Sequence, residues 1–304
     1  MSGRSYYGHP VVKPPVWKPE VPFYLFTGGL AGASAGLAFG ASLTGDRELE
    51  RRAWAVSLVA VVASPVLLIA DLGKPGRFYN MLRVFKVTSP MNVGSWLLAA
   101  AGGATGLAAG HALLGWFGRS GQAAKPAAAA LGMPLTTYTA VLLSNTSIPV
   151  WHEARRELPF VFAGGSVASA GAAAALLTPP ERAGPARRLT LLGTALEACA
   201  VLLMERRLGE LGEPYRQGTA GRLTRLAKAV GWSGGLAVGL AGRRRGAVIG
   251  GGVAALAGAV LERWSVFRAG FQSAQDPKHT VGPQRRRMEE QGSLAFSPGG
   301  IPQT

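Results

Sequence analysis

The stretch that decides the fold begins at Asn92, ends at Phe117 and reads NVGSWLLAAAGGATGLAAGHALLGWF. It contains no Asp, Glu, Lys or Arg. About 20 such residues in a helix cross the roughly 30 Å hydrocarbon core of a bilayer. The stretch therefore predicts a transmembrane helix, and similar stretches lie on both sides of it.

Seven further apolar stretches predict membrane crossings, and the weakest contains Lys228 near its start. They cover residues 21–43, 53–72, 126–146, 159–177, 189–204, 226–241 and 247–266. We therefore expect an all-α integral membrane protein with eight transmembrane helices. The polar, proline-rich residues 1–20 predict an extramembrane tail, because the apolar run that follows is too long for a signal peptide. Residues 271–304 predict a second extramembrane tail.

The composition agrees with a membrane protein and excludes other classes. Charged residues make up 16% of the chain, against about 25% in ordinary soluble domains. The net charge of +16 is compatible with nucleic-acid binding. However, the basic residues lie between long apolar runs, which is the pattern of membrane loops. We therefore expect a lipid bilayer, and no nucleic acid, as the partner of this surface.

The chain lacks the ligands for a redox centre of its own. Its one cysteine, Cys199, cannot hold an iron–sulfur cluster. Haem bound by two axial histidines needs a pair at matched depths, and only His111 lies within a predicted crossing. We therefore expect no haem, no Fe–S cluster and no metal site, and we interpret His111 as a polar residue with its hydrogen bonds satisfied.

Glycines recur at a spacing of four, which places them on one face of a helix. Because helices in lipid associate through close packing of small residues, we expect these rows to be packing seams. The rows are Gly28, Gly32, Gly36 and Gly40; Gly102, Gly106 and Gly110; and Gly250, Ala254 and Gly258.

Three groups within the crossings indicate function, because titratable side chains at membrane depth are costly. They are Asp71, Tyr138 and Glu197, and we expect them to move protons as the catalytic groups. Structural alternatives remain open for each of them. Asp71 would fix a helix end by pairing with Lys74 or Arg77, Tyr138 would belong to an interfacial belt, and Glu197 would hydrogen-bond a neighbouring helix.

Other polar residues lie close to these three in the sequence. Asn145 lies two turns after Tyr138 and shares its helix face, and Ser144 and His152 lie nearby. Glu262 and Arg263, near the end of the last stretch, are expected to extend to the membrane surface.

Three stretches resemble the NrfD/PsrC-type membrane subunits, the membrane-anchor family of polysulfide reductase. The most specific is DLGKPGRF at residues 71–78. The others are VPFYLFTGGLAG at residues 21–32 and YTAVLLS at residues 138–144, the latter followed by Pro149-Val150-Trp151. The similarity covers the first five crossings and agrees with a count of eight.

The resemblance implies a quinone-reactive subunit in the bacterial cytoplasmic membrane, built from two four-helix bundles. Residues 21–158 would form the bundle with the quinone site, and residues 159–270 the second bundle. A ferredoxin-like Fe–S subunit would connect it to a molybdopterin catalytic subunit or a multihaem cytochrome. Quinone would be the bound substrate, either menaquinone or ubiquinone.

The resemblance also suggests site residues. Asp71 and Tyr138 match family positions proposed to bind quinone or move its protons, and Tyr24 stands where some relatives have a polar ring residue. The full set of predicted quinone-binding residues is Tyr24, Gly73, Lys74, Arg77, Ser144, Asn145 and His152.

Two other functions fit the same residues. A transporter or ion channel would use the intramembrane Glu197, and a purely structural anchor would only hold an Fe–S protein. The orientation is also open, because the positive-inside rule favours cytoplasmic termini, whereas the better-known relatives place the face that carries the motif outside.

Overall fold

The structure is a computed structural model that describes residues 12–13 and 15–278. The predicted tails therefore lie largely outside the described residues. Within these residues the chain forms helices and no strands. In chain order they are α1 (Glu20–Leu43), α2 (Arg47–Asp71), α3 (Phe78–Met81), α4 (Pro90–Leu114), α5 (Gly118–Ser144), α6 (Pro149–Glu153), α7 (Leu158–Leu177), α8 (Gly184–Leu208), α9 (Gly218–Ala227), α10 (Ser233–Leu240) and α11 (Arg245–Gln275).

Six of the described helices are long and apolar enough to cross a membrane, namely α1, α2, α4, α5, α7 and α11. This supports the prediction of an all-helical, multi-pass membrane protein. The remaining two predicted crossings differ from these six. Helix α8 has 25 residues but carries Glu197 at its middle and charged residues near both ends. The stretch at 226–241 is divided among α9, a π-helical segment at Lys228–Trp232, and α10.

Several helices begin or end beyond the apolar stretches that predicted them. Helix α2 begins six residues before its stretch because Asp46 caps it, accepting from the Leu49 N–H at 3.1 Å. Ser89 caps α4, and Gly115 ends it in the left-handed conformation at φ 73°. Hydropathy detects the part of a helix in lipid, whereas these polar first and last turns extend towards water.

The long helices contact one another in two rings. In the first ring, α1, α2, α4 and α5 each contact the next, and α5 contacts α1. In the second ring, α7, α8, α10 and α11 each contact the next, and α11 contacts α7. Helix α11 also contacts α9. The rings meet where α1 and α5 pack against α7, and where α1 packs against α11. Short turns at residues 44–46 and 115–117 make α1 antiparallel to α2 and α4 antiparallel to α5. Asp71 therefore lies at one end of the first ring and the α1–α2 turn at the other.

Glycine packing differs from the predicted seams. A Cβ at Gly32 would lie 2.2 Å from the Gly132 carbonyl oxygen, so α1 and α5 meet backbone to backbone there. By contrast, a Cβ at Gly28, Gly36 or Gly40 would meet no atom within 4 Å. The seam prediction is therefore right at Gly32 and wrong at the other three positions.

The other two glycine rows show the same mixture. Gly258 lies against the Gly231 backbone, whereas a Cβ at Gly106 or Gly250 would meet no atom within 4 Å. Close approach therefore depends on a small residue on the opposing helix, which a row on one helix does not reveal.

Candidate functional site

Asp71 is the last residue of α2 and binds the segment that precedes α1. The Lys18 backbone N–H donates to Asp71 Oδ1 at 2.8 Å, and the Lys18 ammonium donates to the Ala70 carbonyl at 3.3 Å. Trp17 stacks on Trp151 with ring centroids 5.6 Å apart. The carboxylate therefore fastens the N-terminal segment to the end of the first ring. In the structural alternative, Asp71 pairs with Lys74 or Arg77. In the structure, Asp71 binds Lys18 instead.

The remainder of the DLGKPGRF motif forms an exposed loop. Gly73, Lys74 and Arg77 are all exposed, and a short 3₁₀ turn at Pro75–Arg77 leads into α3. The two cationic side chains therefore face outward at the Asp71 end of the first ring. They are available to an acidic partner or to a ligand at the entrance of the ring.

Tyr138 lies inside the first ring, near the same end. Its hydroxyl donates to the Pro90 carbonyl at 2.8 Å, and the residue is 8% exposed. A Cβ at Gly94 would lie 1.7 Å from Tyr138 Cζ, so the ring needs glycine on α4. This buried position between α4 and α5 differs from that of a lipid-facing belt tyrosine.

Tyr24 is a second buried tyrosine among the predicted quinone-binding residues. It lies on α1 and is 3% exposed. The first ring therefore contains two buried phenol groups, on the adjacent helices α1 and α5.

Ser144 and Asn145 lie at the C-terminal end of α5, and His152 lies on the following α6. The Ser144 hydroxyl donates to the Ala140 carbonyl at 2.7 Å, and His152 Nδ1 lies 3.3 Å from the Ser144 carbonyl oxygen. Asn145 and His152 are exposed. These residues are at the same end of the ring as Asp71; Asn145 and His152 face the surface, whereas Ser144 is buried.

Glu197 belongs to the second ring. It is 8% exposed on α8, and its backbone N lies 2.5 Å from where a Cβ on Gly164 would stand. It interacts electrostatically with Arg263 on α11. Within the described residues, none of Asp71, Tyr138, His152 and Glu197 hydrogen-bonds to another.

Arg263 and Glu262 are buried, so the prediction that they extend to the membrane surface is wrong. They are 1% and 7% exposed and form an ion pair. Arg263 Nη2 donates to the Phe162 carbonyl at 3.0 Å, and the guanidinium lies 3.9 Å from the centre of the Phe162 ring. The reason is that α11 continues to Gln275, so these residues lie well inside the helix.

Glu197 and Glu262 line a small charged cavity of about 20 Å³, which is room for about one water. Lys228 contributes an ion pair with Glu205 at 2.6 Å, and the buried Tyr215 hydroxyl has no hydrogen-bond partner among the described residues. The π-helical segment that carries Lys228 borders this cavity. The sequence did not place Glu262 and Lys228 beside Glu197, because they come from α11 and from the π-helical segment.

A second buried ion pair was not predicted. Lys125 and Glu50 are 7% and 8% exposed, and their charged atoms lie 2.7 Å apart at the end of the first ring away from Asp71. Both residues fall just outside the apolar stretches at 53–72 and 126–146. Hydropathy therefore does not place this pair within the first ring.

The fold and its polar sites define a multi-pass helical membrane protein whose first ring carries a buried tyrosine and an aspartate at one end. A comparison with protein families matches residues 10–204 to the polysulphide reductase NrfD family. The chain therefore belongs to the NrfD family, as the sequence resemblance predicted. A search of curated proteins finds no match.

The family identifies the general role of the chain. NrfD proteins are membrane subunits of polysulfide- and quinone-linked reductase complexes, typically partnered with other redox subunits. The matched region includes the whole first ring, α7 and most of α8, and ends before α9. Asp71 and Tyr138 both lie within it.

Proposed function

We propose that this chain is the quinone-reactive membrane anchor of an oxidoreductase complex in the bacterial cytoplasmic membrane. The observation that carries the proposal is the location of Asp71 and Tyr138 at the same end of the family-matched ring. Tyr138 offers a buried hydroxyl whose present acceptor is a backbone carbonyl, and Asp71 offers a half-buried carboxylate. A quinone carbonyl at this end would accept from the hydroxyl, and the carboxylate would exchange protons with the surface.

The quinone tail needs an apolar path, and a groove between α2 and α4 supports the proposal. It has a volume of about 540 Å³ and is lined almost entirely by apolar side chains and glycines. Its lining includes Phe78, directly after the motif loop, and Ser95, next to the Gly94 that contacts the Tyr138 ring. A head group at Tyr138 would therefore have its tail along α2.

Reduction of a quinone takes up two electrons and two protons. The electrons would come from a cluster in a ferredoxin-like Fe–S subunit, because one cysteine cannot ligate a cluster in this chain. That subunit would connect to a molybdopterin catalytic subunit or a multihaem cytochrome. Lys74 and Arg77 on the exposed motif loop would meet an acidic surface of the Fe–S subunit.

We further propose eight crossings arranged as two four-helix bundles. The two closed rings of helix contacts support this arrangement. Charged side chains lower the hydropathy of α8 below that of the six apolar helices. One of them, Glu197, is buried against α7 and α11 rather than facing lipid. Helices α9 and α10 form one continuous helical run through the π segment, from Gly218 to Leu240.

Glu197 is proposed as a proton-transfer group of the second ring. Its support is a buried carboxyl that lines a cavity with room for about one water, beside Arg263 and Lys228. Because no direct hydrogen bond joins it to Tyr138, protons would need intervening water to pass between the rings.

The decisive experiment measures quinol-linked electron transfer in membranes that contain the assembled complex. Tyr138→Phe and Asp71→Asn should each lower turnover by at least tenfold while the complex stays assembled. The matched control is Tyr79→Phe, because Tyr79 is 78% exposed and lies on α3 at the same end of the ring. Unchanged turnover in both site variants would overturn the quinone site, and loss of assembly alone would favour a structural anchor.

A transporter or ion channel is the second candidate, and the charged cavity at Glu197 favours it. Liposomes that contain only this chain would distinguish the two functions. Ion or solute flux that is lost in Glu197→Gln would favour transport, whereas the anchor function predicts no such flux.

A further inference from the structure

The end of the first ring opposite Asp71 contains a polar pocket of about 440 Å³. All four helices of the ring contribute to it, so it is the entrance of the ring on that side of the membrane. Its principal polar lining residues are Arg47, Glu50, Arg51, His111, Gln122 and Lys125.

The pocket carries more positive than negative charge. Glu50 is its one acidic residue and is already paired with Lys125 at 2.7 Å. Arg47 and Arg51 have no carboxylate partner among the described residues, and Arg51 Nη2 donates weakly to the Leu113 carbonyl at 3.4 Å. Two guanidinium groups therefore remain available at the entrance.

The nearby acidic residues do not cancel this excess. Asp46 caps α2 by accepting from the Leu49 N–H, and Glu48 pairs with Arg52 at 2.9 Å. An excess of positive charge attracts an anion and disfavours entry of a cation or a protonated carrier. The pocket is therefore suited to an anionic ligand.

Polar groups in the lining complement an oxyanion. Lys125 is only 7% exposed, so one cation lies inside the pocket rather than on its rim. His111 Nδ1 is buried and has no hydrogen-bond partner among the described residues, contrary to the prediction of a satisfied histidine. Arginine presents paired donors that match phosphate oxygens, and Gln122 adds an exposed amide.

The rim of the pocket indicates that the anion is attached to acyl chains. Four large apolar residues at the adjoining helix ends are 49–72% exposed, namely Leu43, Leu114, Trp116 and Phe117. Tryptophan at a helix end is typical of the interface between lipid and water. Basic pockets between transmembrane helices bind anionic lipid head groups.

We propose that this pocket binds the phosphate head group of an anionic phospholipid. The phosphodiester would lie between Arg47 and Arg51, with Lys125 and His111 deeper in the pocket. The acyl chains would lie along the exposed apolar residues at the rim. The lipid would connect the ends of α2 and α5, which already share the Glu50–Lys125 ion pair.

The test uses the full-length protein, delipidated in detergent and titrated with phosphatidylglycerol, phosphatidylcholine or inorganic phosphate. Native mass spectrometry measures lipid binding, and the change in Tm measures all three ligands. Phosphatidylglycerol should bind at least tenfold more tightly than phosphatidylcholine. Arg47→Gln/Arg51→Gln should weaken it about 30-fold, because each basic side chain near an anionic lipid contributes roughly a factor of five.

The matched control is Arg182→Gln/Arg188→Gln, which removes the same charge from exposed positions at the same side of the membrane. It should leave binding within about twofold of the unmodified protein. If Arg47→Gln/Arg51→Gln folds poorly, Gln122→Glu serves as the second test variant. It adds a negative charge at an exposed lining position. It should weaken phosphatidylglycerol binding about fivefold.

Equal binding of both lipids, or unchanged binding in Arg47→Gln/Arg51→Gln and in Gln122→Glu, would overturn the proposal. An equal loss in the control would also overturn it, because the effect would then be one of total charge. If inorganic phosphate alone gives the whole arginine-dependent rise in Tm, the pocket binds a free anion and the lipid assignment is wrong.

Discussion

The two rings of helices hold their charged residues at different depths. The first ring has Asp71 at one end and the Glu50–Lys125 pair at the other, where water or a ligand reaches them. The second ring encloses Arg263, Glu262 and Glu197 between α7, α8 and α11. Charges at an entrance remain available for binding, whereas enclosed charges must be satisfied by the protein itself. We therefore expect substitutions of charged residues to affect stability more strongly in the second ring.

The largest effect is expected at Arg263. Arg263→Gln leaves Glu262 buried without its partner, which should lower the free energy of unfolding by about 3–5 kcal/mol. Unfolding by SDS in mixed micelles measures the change. Arg268→Gln is the control on the same helix, because Arg268 is exposed. Equal stability of the two variants would show that the enclosed charges are not a stabilising network.

The next effect is expected at Lys125 in the first ring. Lys125→Gln leaves Glu50 without its ion pair, but the adjoining pocket admits water, so we expect a loss of about 2 kcal/mol. Adding Glu50→Gln to this variant should restore most of the loss, as a double-mutant cycle would show. A loss as large as that of Arg263→Gln would remove the difference between the rings.

A smaller effect is expected where the backbones of α1 and α5 meet. Gly32→Ala places a methyl group 2.2 Å from the Gly132 carbonyl oxygen, and overpacking of this kind destabilises by about 1–3 kcal/mol. Gly36→Ala, one turn later, enters open space and should be neutral in the same unfolding measurement. Similar values for the two variants would contradict the mapped contact.

The smallest effect is expected at the surface pair of Arg52 and Glu48. Their charged atoms lie 2.9 Å apart, but the side chains are 49% and 31% exposed. Arg52→Gln should change the free energy of unfolding by less than about 0.5 kcal/mol. A loss above 1 kcal/mol would mean that this end of the first ring is less hydrated than its exposure indicates.

The sequence predicted the first ring better than the second, for a physical reason. Continuous apolar runs specify α1, α2, α4, α5 and α7, because hydropathy measures what lipid requires of a single helix. In the second ring, Glu197 in α8 and Lys228 in the run from α9 to α10 lower the hydropathy of their stretches, so these crossings are harder to predict. These side chains are accommodated by neighbouring helices, which a single stretch does not reveal.

The candidate site was predicted in part for a related reason. The sequence identified Asp71 and Tyr138, but it did not identify Lys18, which lies 53 residues from its partner. It misjudged Arg263 because the apolar run ends near it, although the helix continues. Residue type and depth are thus readable from one chain, whereas partners distant in sequence require the fold.

The contact between Asp71 and Lys18 has a consequence for sequence variation. The donor is a main-chain N–H, so almost any residue at position 18 would preserve it, and only proline would remove it. Pro19 already disfavours the helical conformation at position 18, which keeps this N–H outside α1. Position 18 could therefore vary freely among homologous sequences while Asp71 stays constant. Covariation between the two positions would then miss a contact that fastens the N-terminal segment to the membrane domain.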